Sequence, residues 1–197
     1  TLTDNKKVWN QSVQSFGIDG TNKLAIEISA LYPINLDNRL KYLIRYPYGC
    51  VEQTTSSVFP QLHLGKYVRL SSKKKKEIEK NIKSGIQRLT EFQTYSGGLS
   101  YWPGGRWENA WGTNYAGHFM LEAEHAGYHI PKAFKTNWIS YQTRMAENYG
   151  YSNYDWEQTT QGYRLFLLAM AKSPSLGAMN RLKQQSGLSN MAAWYLA

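Results

Sequence analysis

The chain has 197 residues, of which 42% are hydrophobic and 14% aromatic, and it carries a formal net charge of +9. This length accommodates one domain with a substantial core, and the composition is typical of a soluble globular protein. A single cysteine excludes an internal disulfide, and no apolar run approaches the ~20 residues that a membrane-spanning helix needs.

The first 34 residues predict a linker that ends in a short strand. Polar residues and glycines without periodicity continue to residue 21, after which residues 23–30 alternate in polarity until Pro33 stops the pattern. The start has no signal-peptide character, and the chain reads as a C-terminally truncated piece of a larger protein. We therefore expect two parts, residues 1–34 and a helical domain over residues 35–197.

A helical period begins at Asn35, which suits an N-cap position. The apolar residues that recur at helical spacing are Leu36, Leu40, Leu43 and Ile44. Pro47 and Gly49 end this helix, and the turn that they form places Cys50 at the N-terminus of the next helix. A helix N-terminus favours the thiolate form of a cysteine, because positive partial charge gathers there.

The helix after Cys50 is predicted to run to about Leu64, with a kink or a break at Pro60. Ser71 or Ser72 then caps a third helix, which extends to about Gln93. One apolar stripe, interpreted as core packing, runs along it: Ile78, Ile82, Ile86, Leu89 and Phe92.

The same helix begins with a basic run. Four consecutive lysines, Lys73 to Lys76, precede Lys80 and Lys83. Such a run is found in nucleic-acid-binding proteins. The preferred interpretation is a solvated helix N-terminus, because Glu77 and Glu79 continue a helical pattern and no aromatic residues interleave the lysines. We expect no nucleic-acid partner.

A glycine-rich and aromatic loop spans residues 95–112. Its large rings are Tyr101, Trp102, Trp107 and Trp111. Such a cluster binds sugars, shields a reactive bond from water, or only plugs the end of a helical barrel, and the sequence leaves these alternatives open. Further helices are predicted at residues 113–126, 132–148, 157–171, 175–186 and from 189 onward. Short turns between helices of this length predict an all-α stack of hairpins.

The only cysteine, Cys50, precedes Gln53 by three residues. On a helix these two side chains lie on one face. A sulfur held there can attack the glutamine carbonyl and expel ammonia, which leaves an internal thioester. Spacing alone favours a small buried cysteine over a thioester, and a papain-like nucleophile is a further alternative. The histidines available for the latter are His63, His118, His125 and His129.

The surrounding motifs are specific. Tyr46–Gln53 resembles the thioester motif of the α2-macroglobulin and complement family in its bacterial form. Asn35–Arg45 is similar to the lead-in helix of that family, and Thr54–Leu62 is similar to its continuation. Gly97–Gly105 and Trp111–Phe119 resemble the next landmarks of the domain in the right order.

The resemblance implies an α/α toroid of helical hairpins that holds the thioester near one rim, with the strand before it belonging to a preceding module. Cys50 would supply the sulfur and Gln53 the acyl carbon, while Glu52 belongs to the motif, where it orients the amide or caps the helix. Tyr46 and Tyr48 are candidates for covering the thioester from water. Proteolysis of a bait segment elsewhere would expose the bond, which captures the attacking protease once. The resemblance thus implies a single-use protease trap, without cofactor or metal, rather than an enzyme.

Some complement relatives carry an assisting histidine that directs the thioester toward hydroxyl groups. The corresponding region, Tyr149–Glu157, contains no histidine, and His118 is the remaining candidate. We therefore expect direct aminolysis, chiefly by lysine side chains.

Two other classes stay open at this point. An α/α-toroid enzyme acting on glycans or isoprenoids would need paired carboxylates or a zinc site. Glu122 and Glu124 are two apart and do not face each other, and no Cys, His and Asp residues have the spacing of metal ligands. A helical interaction module with an inert Cys-Gln pair is the other class. The resemblance implies target proteases and the other domains of the parent chain as partners, no membrane insertion by this piece, and a periplasmic or envelope-associated location.

Overall fold

The computed structural model describes residues 42–197 and, before them, residues 12, 14, 17, 18, 20 and 21. The chain divides into two units, Thr1–Asn35 and Leu36–Ala197. In the first unit a turn closes at Thr21, whose backbone N–H donates to the Ile18 carbonyl at 3.1 Å. The predicted strand at 23–30 and the helical segment from Asn35 to residue 41 lie outside the described residues.

The described part of the second unit is helical. Its seven named helices are α1 (Val51–Tyr67), α2 (Ser72–Thr90), α3 (Ala110–His125), α4 (Lys132–Glu147), α5 (Asp155–Met170), α6 (Leu176–Lys183) and α7 (Asn190–Leu196). No strand occurs among the described residues, where two isolated antiparallel bridges join Gln93 to Leu99 and Ser100 to Glu108. The predicted all-α class is confirmed.

The helices form two sets, the odd-numbered and the even-numbered ones. Helix α3 packs on both α1 and α5, and α5 packs on α7, so the odd-numbered helices follow one another. Helix α2 packs mainly on α1, α4 on α5, and α6 on α5 and α7. This alternation of consecutive hairpins is the arrangement of an α/α toroid, as predicted, and it places the N-termini of α1 and α3 side by side.

Local sequence explains several helix boundaries. The Ser71 side chain caps α2 by accepting from the Lys74 N–H, as predicted. Helix α3 begins at Ala110, three residues earlier than predicted, because the Asn109 side chain accepts from the Gly112 N–H at 2.6 Å. Helix α1 is not split at Pro60, since proline removes only its own N–H from the hydrogen-bond ladder.

The core lies between these helices. The predicted stripe of α2 is buried, and Val58 of α1 packs against Gly85 of α2. Trp138 of α4 is buried against Gly117 of α3, and its indole N–H donates to the Thr113 carbonyl at 2.9 Å. Among the residues described, no helix combines the length and the apolarity that crossing a membrane requires.

Candidate functional site

The site is built around the start of α1. Gly49 has φ +99° and turns the chain into the helix. Cys50 follows as the N-cap residue, with extended backbone angles, a free thiol and only 2% of its surface exposed. Gln53 occupies the third helical position and is exposed. The short turn thus presents a buried sulfur one helical turn from an accessible carboxamide.

Cys50 and Gln53 interact reciprocally. The Cys50 backbone N–H donates to Gln53 Oε1 at 3.1 Å, and the Cys50 side chain faces the Gln53 backbone N–H, as in a capping box. The Gln53 carboxamide is therefore folded back over the N-cap, although the residue remains exposed. The two groups that a thioester would join lie together on one face, as the spacing predicts.

Gly49 makes room for this arrangement. A Cβ atom at Gly49 would lie 2.1 Å from Gln53 Oε1 and 3.0 Å from Gln53 Cδ. Because real Cβ atoms essentially never come that close, a side chain at this position would displace the carboxamide. The glycine of the motif is required both for its positive φ and for this close approach.

Two residues from other elements meet the site. Arg88 of α2 donates from its guanidinium to the Gly49 carbonyl at 3.1 Å. From the aromatic loop, the Tyr101 carbonyl accepts from the Val51 N–H at 3.1 Å. The neighbouring Cys50 side chain is the main cause that raises the pKa of Tyr101, and the charge of Glu52 adds to it. Arg88 was not predicted at this site, and Tyr101 was predicted only as one ring of a loop whose role was left open, since both reach the start of α1 through tertiary packing.

The other predicted motif residues lie nearby in the chain. Tyr46 and Tyr48 are both exposed, with their ring centroids 6.0 Å apart and tilted by 31°. Glu52 is half-buried in the first turn of α1, where a carboxylate suits the positive end of the helix. The two tyrosines thus lie within the turn that leads to Cys50.

His118 lies on α3 in an aromatic cluster. Its Nδ1 is 2.8 Å from the Tyr163 hydroxyl, and Phe59 and Phe166 surround its ring. Burial lowers the pKa of His118, an effect that Glu122 opposes. Phe59 is eight residues beyond Val51, or about 12 Å along a helix. The structure therefore does not bring His118 to the Cys50–Gln53 pair.

The aromatic loop stays largely on the surface. Trp102, Trp107 and Trp111 are exposed, and the Trp102 ring meets Tyr101 edge to face at 5.7 Å. In the part of the chain that the structure describes, these rings do not form a packed plug. Within the same residues, His, Cys, Asp and Glu side chains form no group of three that could hold a metal ion.

A cysteine and a glutamine that close on each other at the start of a helix, on a scaffold of helical hairpins, define the thioester-domain class. A family model described as the A-macroglobulin TED domain matches residues 24–152, more than half of the chain, and the chain belongs to this family. The resemblance inferred from the motifs is thus confirmed.

The similar proteins are bacterial alpha-2-macroglobulins. The protein from Escherichia coli K12 is 28% identical over 170 residues, which cover 79% of this chain and 10% of that protein. The protein from Xylella fastidiosa Temecula1 is 30% identical over 112 residues, or 55% of this chain and 7% of that one. The chain therefore spans about a tenth or less of the length of these relatives.

Solved structures show the same fold. A crystal structure of Salmonella alpha-2-macroglobulin reacted with methylamine superposes with a TM-score of 0.70 at 26% identity, covering 83% of this chain and 12% of that one. Native E. coli alpha-2-macroglobulin from domain MG7 to the C-terminus gives a TM-score of 0.60 at 27% identity, with 76% and 25% covered.

Proposed function

We propose that this domain forms an internal thioester between Cys50 Sγ and Gln53 Cδ, and that the thioester serves as a single-use covalent trap for proteases. The Cys50 sulfur attacks the carboxamide carbon, the C–N bond breaks, and ammonia leaves with the thiol proton. The product is a stored acyl donor. An attacking amine then forms an amide with Gln53 and releases the Cys50 thiol.

The contact that carries this proposal is the hydrogen bond from the Cys50 backbone N–H to Gln53 Oε1. Attack on an amide carbonyl places negative charge on its oxygen, and a backbone N–H already directed at that oxygen stabilises the charge. The same bond holds the carboxamide against the N-cap. The conformational entropy that would be lost on bringing sulfur and carboxamide together is therefore already largely lost on folding.

Two relatives support the chemistry. The Salmonella protein is described as reacted with methylamine, and an E. coli structure is described as activated by trypsin. A small amine is the simplest reagent for a thioester, and trypsin is a protease. Lysine side chains of an attacking protease are accordingly the expected targets here, since no histidine lies near the pair to direct the acyl group toward hydroxyls.

The reaction regenerates nothing, because Gln53 stays bonded to its target. The protein is thus proposed as an inhibitor of endopeptidases and not as an enzyme. Its partners would be proteases and the other domains of its own parent chain, which would keep the bond covered until activation. A periplasmic or cell-envelope location suits a trap for foreign proteases.

Intact mass tests the proposal. In the full protein that carries this domain, thioester formation lowers the mass by about 17 Da, and methylamine then adds about 31 Da while it frees one titratable thiol. Cys50→Ser is the control and should retain the full mass without reacting. A wild-type mass without the deficit, together with a thiol that titrates before amine is added, would refute the proposal and favour an inert interaction module.

The nucleophile preference is tested separately. Adducts are counted after exposure to equal concentrations of methylamine and ethanol at neutral pH. We expect amide adducts to dominate. Predominant ester adducts would contradict direct aminolysis and would indicate an assisting residue.

A further inference from the structure

The peptide unit that joins Gly49 to Cys50 makes a hydrogen bond at each end. Its N–H, on Cys50, donates to Gln53 Oε1 at 3.1 Å. Its carbonyl, on Gly49, accepts from the Arg88 guanidinium, also at 3.1 Å. Because a trans peptide unit is planar, its C=O and N–H point in opposite directions and turn together. The group that binds the carbonyl therefore also sets the direction of the N–H that holds the carboxamide.

Arg88 of α2 reaches this peptide unit with its charge. Its guanidinium carbon lies 5.7 Å from the centroid of the Phe92 ring, which is fully buried. In the part of the chain that the structure describes, the two ion pairs do not include Arg88, and its Nε is buried without a hydrogen-bond partner. The cation is thus packed on an aromatic ring and directed at the Gly49 carbonyl.

We infer that Arg88 is a positioning residue for the thioester reaction, which orients and polarises the Gly49–Cys50 peptide unit so that its N–H stabilises negative charge on Gln53 Oε1. The inference rests on the proposed function and adds to it a residue from another helix. A cation at the carbonyl draws electron density toward the oxygen and makes the N–H of the same peptide a stronger donor, because linked hydrogen bonds polarise one another. Arg88 thus acts through the peptide unit and not on the carboxamide itself.

Charge develops on Gln53 Oε1 in both steps of the proposed reaction. When the Cys50 sulfur attacks Cδ, the S–C bond forms and the carbonyl electron pair moves onto the oxygen. The pair returns as the C–N bond breaks and ammonia leaves with the thiol proton. When an amine attacks the thioester, the same oxygen takes up charge again, the C–S bond breaks with its electron pair, and the sulfur takes up a proton equivalent to the one that the amine releases. Arg88 neither gains nor loses a proton in either step.

The test compares Arg88→Met with Arg144→Met in the full protein. Arg144 of α4 makes the same two kinds of contact elsewhere: its guanidinium donates to the Ser96 carbonyl at 3.2 Å and lies 5.5 Å from the Tyr141 ring centroid. The measurement is the rate of methylamine aminolysis. Loss of a direct donor to an oxyanion slows a reaction by about 10²–10³-fold, and Arg88 acts one peptide away, so we expect a decrease of about three- to tenfold in Arg88→Met. Arg144→Met should react at the wild-type rate.

Arg88→Lys separates the charged hydrogen bond from the packing of the guanidinium. Lysine keeps a charged donor on a long stem but lacks the planar group, so the aminolysis rate should stay within about twofold of wild type. The mass deficit of each purified variant gives its thioester content, and urea unfolding shows whether it retains the fold. If Arg88→Met does not fold, Arg88→Gln replaces it. Glutamine is a neutral and weaker donor, and we expect a decrease of about threefold.

The failure of each proposal is recognised separately. A wild-type protein without a mass deficit refutes the thioester. With the deficit present, aminolysis of Arg88→Met at the wild-type rate overturns the role of Arg88 alone. Arg88→Lys as slow as Arg88→Met overturns it as well, because the loss would then come from packing and not from a charged donor. Slow aminolysis or a missing deficit in Arg88→Met, with near wild-type behaviour in Arg88→Lys and Arg144→Met, supports the inference.

Discussion

At the scale of single residues, Gly49 is constrained in two ways, by its backbone conformation and by the side chain that lies beside its Cα atom. Its φ of +99° is costly for any residue with a Cβ, and the space that a Cβ would occupy is filled by the Gln53 carboxamide. The backbone constraint affects stability, whereas the contact affects the geometry of the Cys50–Gln53 pair. A suitable control separates these effects.

Gly49→Ala should abolish or strongly reduce thioester formation. Left-handed backbone costs alanine about 1–2 kcal/mol of folding free energy. The clash with Gln53 Oε1 is relieved cheaply, because the end of a glutamine side chain moves easily, and that movement takes the carboxamide away from the Cys50 N–H. The mass deficit of the purified protein and its urea unfolding measure the two effects.

Gly127→Ala is the matched control. Gly127 has φ +89°, and a Cβ there meets nothing within 4 Å. It should lose a similar free energy of unfolding and retain the full mass deficit. Equal thioester content in the two variants would contradict the role assigned to the Gly49 contact.

At the scale of helices, α1 and α2 approach each other closely at Gly85. A Cβ on Gly85 would lie 2.8 Å from Val58 Cγ1 and 3.0 Å from Val58 Cγ2. Valine has little rotamer freedom in a helix, so neither methyl group can turn away. The pair sets the separation of the helix that carries Cys50 from the helix that carries Arg88.

Gly85→Ala should lower the free energy of unfolding by about 1–2 kcal/mol, although alanine is the better helix former. Overpacking costs about 1–3 kcal/mol, and the gain in helix propensity, about 1 kcal/mol, offsets only part of it. Thermal or urea unfolding measures the net effect.

Gly65→Ala on α1 should instead raise the free energy of unfolding. Gly65 is exposed, and a Cβ there meets only Leu70 Cδ1 at an ordinary 3.8 Å. We expect stabilisation by about 0.5–1 kcal/mol from helix propensity alone. Stabilisation by both Gly85→Ala and Gly65→Ala would contradict the close contact between Gly85 and Val58.

At the scale of the whole helical unit, a buried polar network connects three helices. Gln142 of α4 donates to Asn114 Oδ1 of α3 and accepts from Arg164 Nε of α5 at 3.0 Å. Arg164 also donates to Gln161 Oε1. Burial lowers the pKa of Arg164, and the ion pairs found among the described residues, Lys83–Glu79 and Lys135–Glu124, do not include it. Neutral amides therefore hold this cation.

Gln142→Ala should be strongly destabilising, by about 2–4 kcal/mol, since it leaves the Asn114 oxygen and a nitrogen of Arg164 without partners in the core. Urea unfolding with an unchanged m-value would measure the loss. The control is Gln87→Ala at an exposed position of α2, where we expect a change within about 0.5 kcal/mol. A similar small change for Gln142→Ala would contradict the network's role in joining α3, α4 and α5.

Much of the helical architecture could be predicted from the chain itself. Apolar periodicity predicted α2. The glycine and proline residues between helices predicted the bounds of the later helices to within a few residues. The error at α3 came from Asn109, whose side chain caps the helix earlier than the apolar pattern begins. Of the kink or break expected at Pro60, the break does not occur, because packing on α2 and α3 retains a helix whose hydrogen-bond ladder lacks one donor.

The amino-acid sequence alone determined the Cys50–Gln53 pair, because the two residues are three apart at the start of one helix and need only local hydrogen bonds to meet. Only the tertiary structure decided what surrounds that pair. Tyr101 is fifty-one positions from Cys50 and Arg88 thirty-nine from Gly49, so each reaches the site through loop and helix packing that no local pattern encodes. The same packing places His118 with Tyr163, where burial disfavours its charged form, and about two helical turns away from the sulfur.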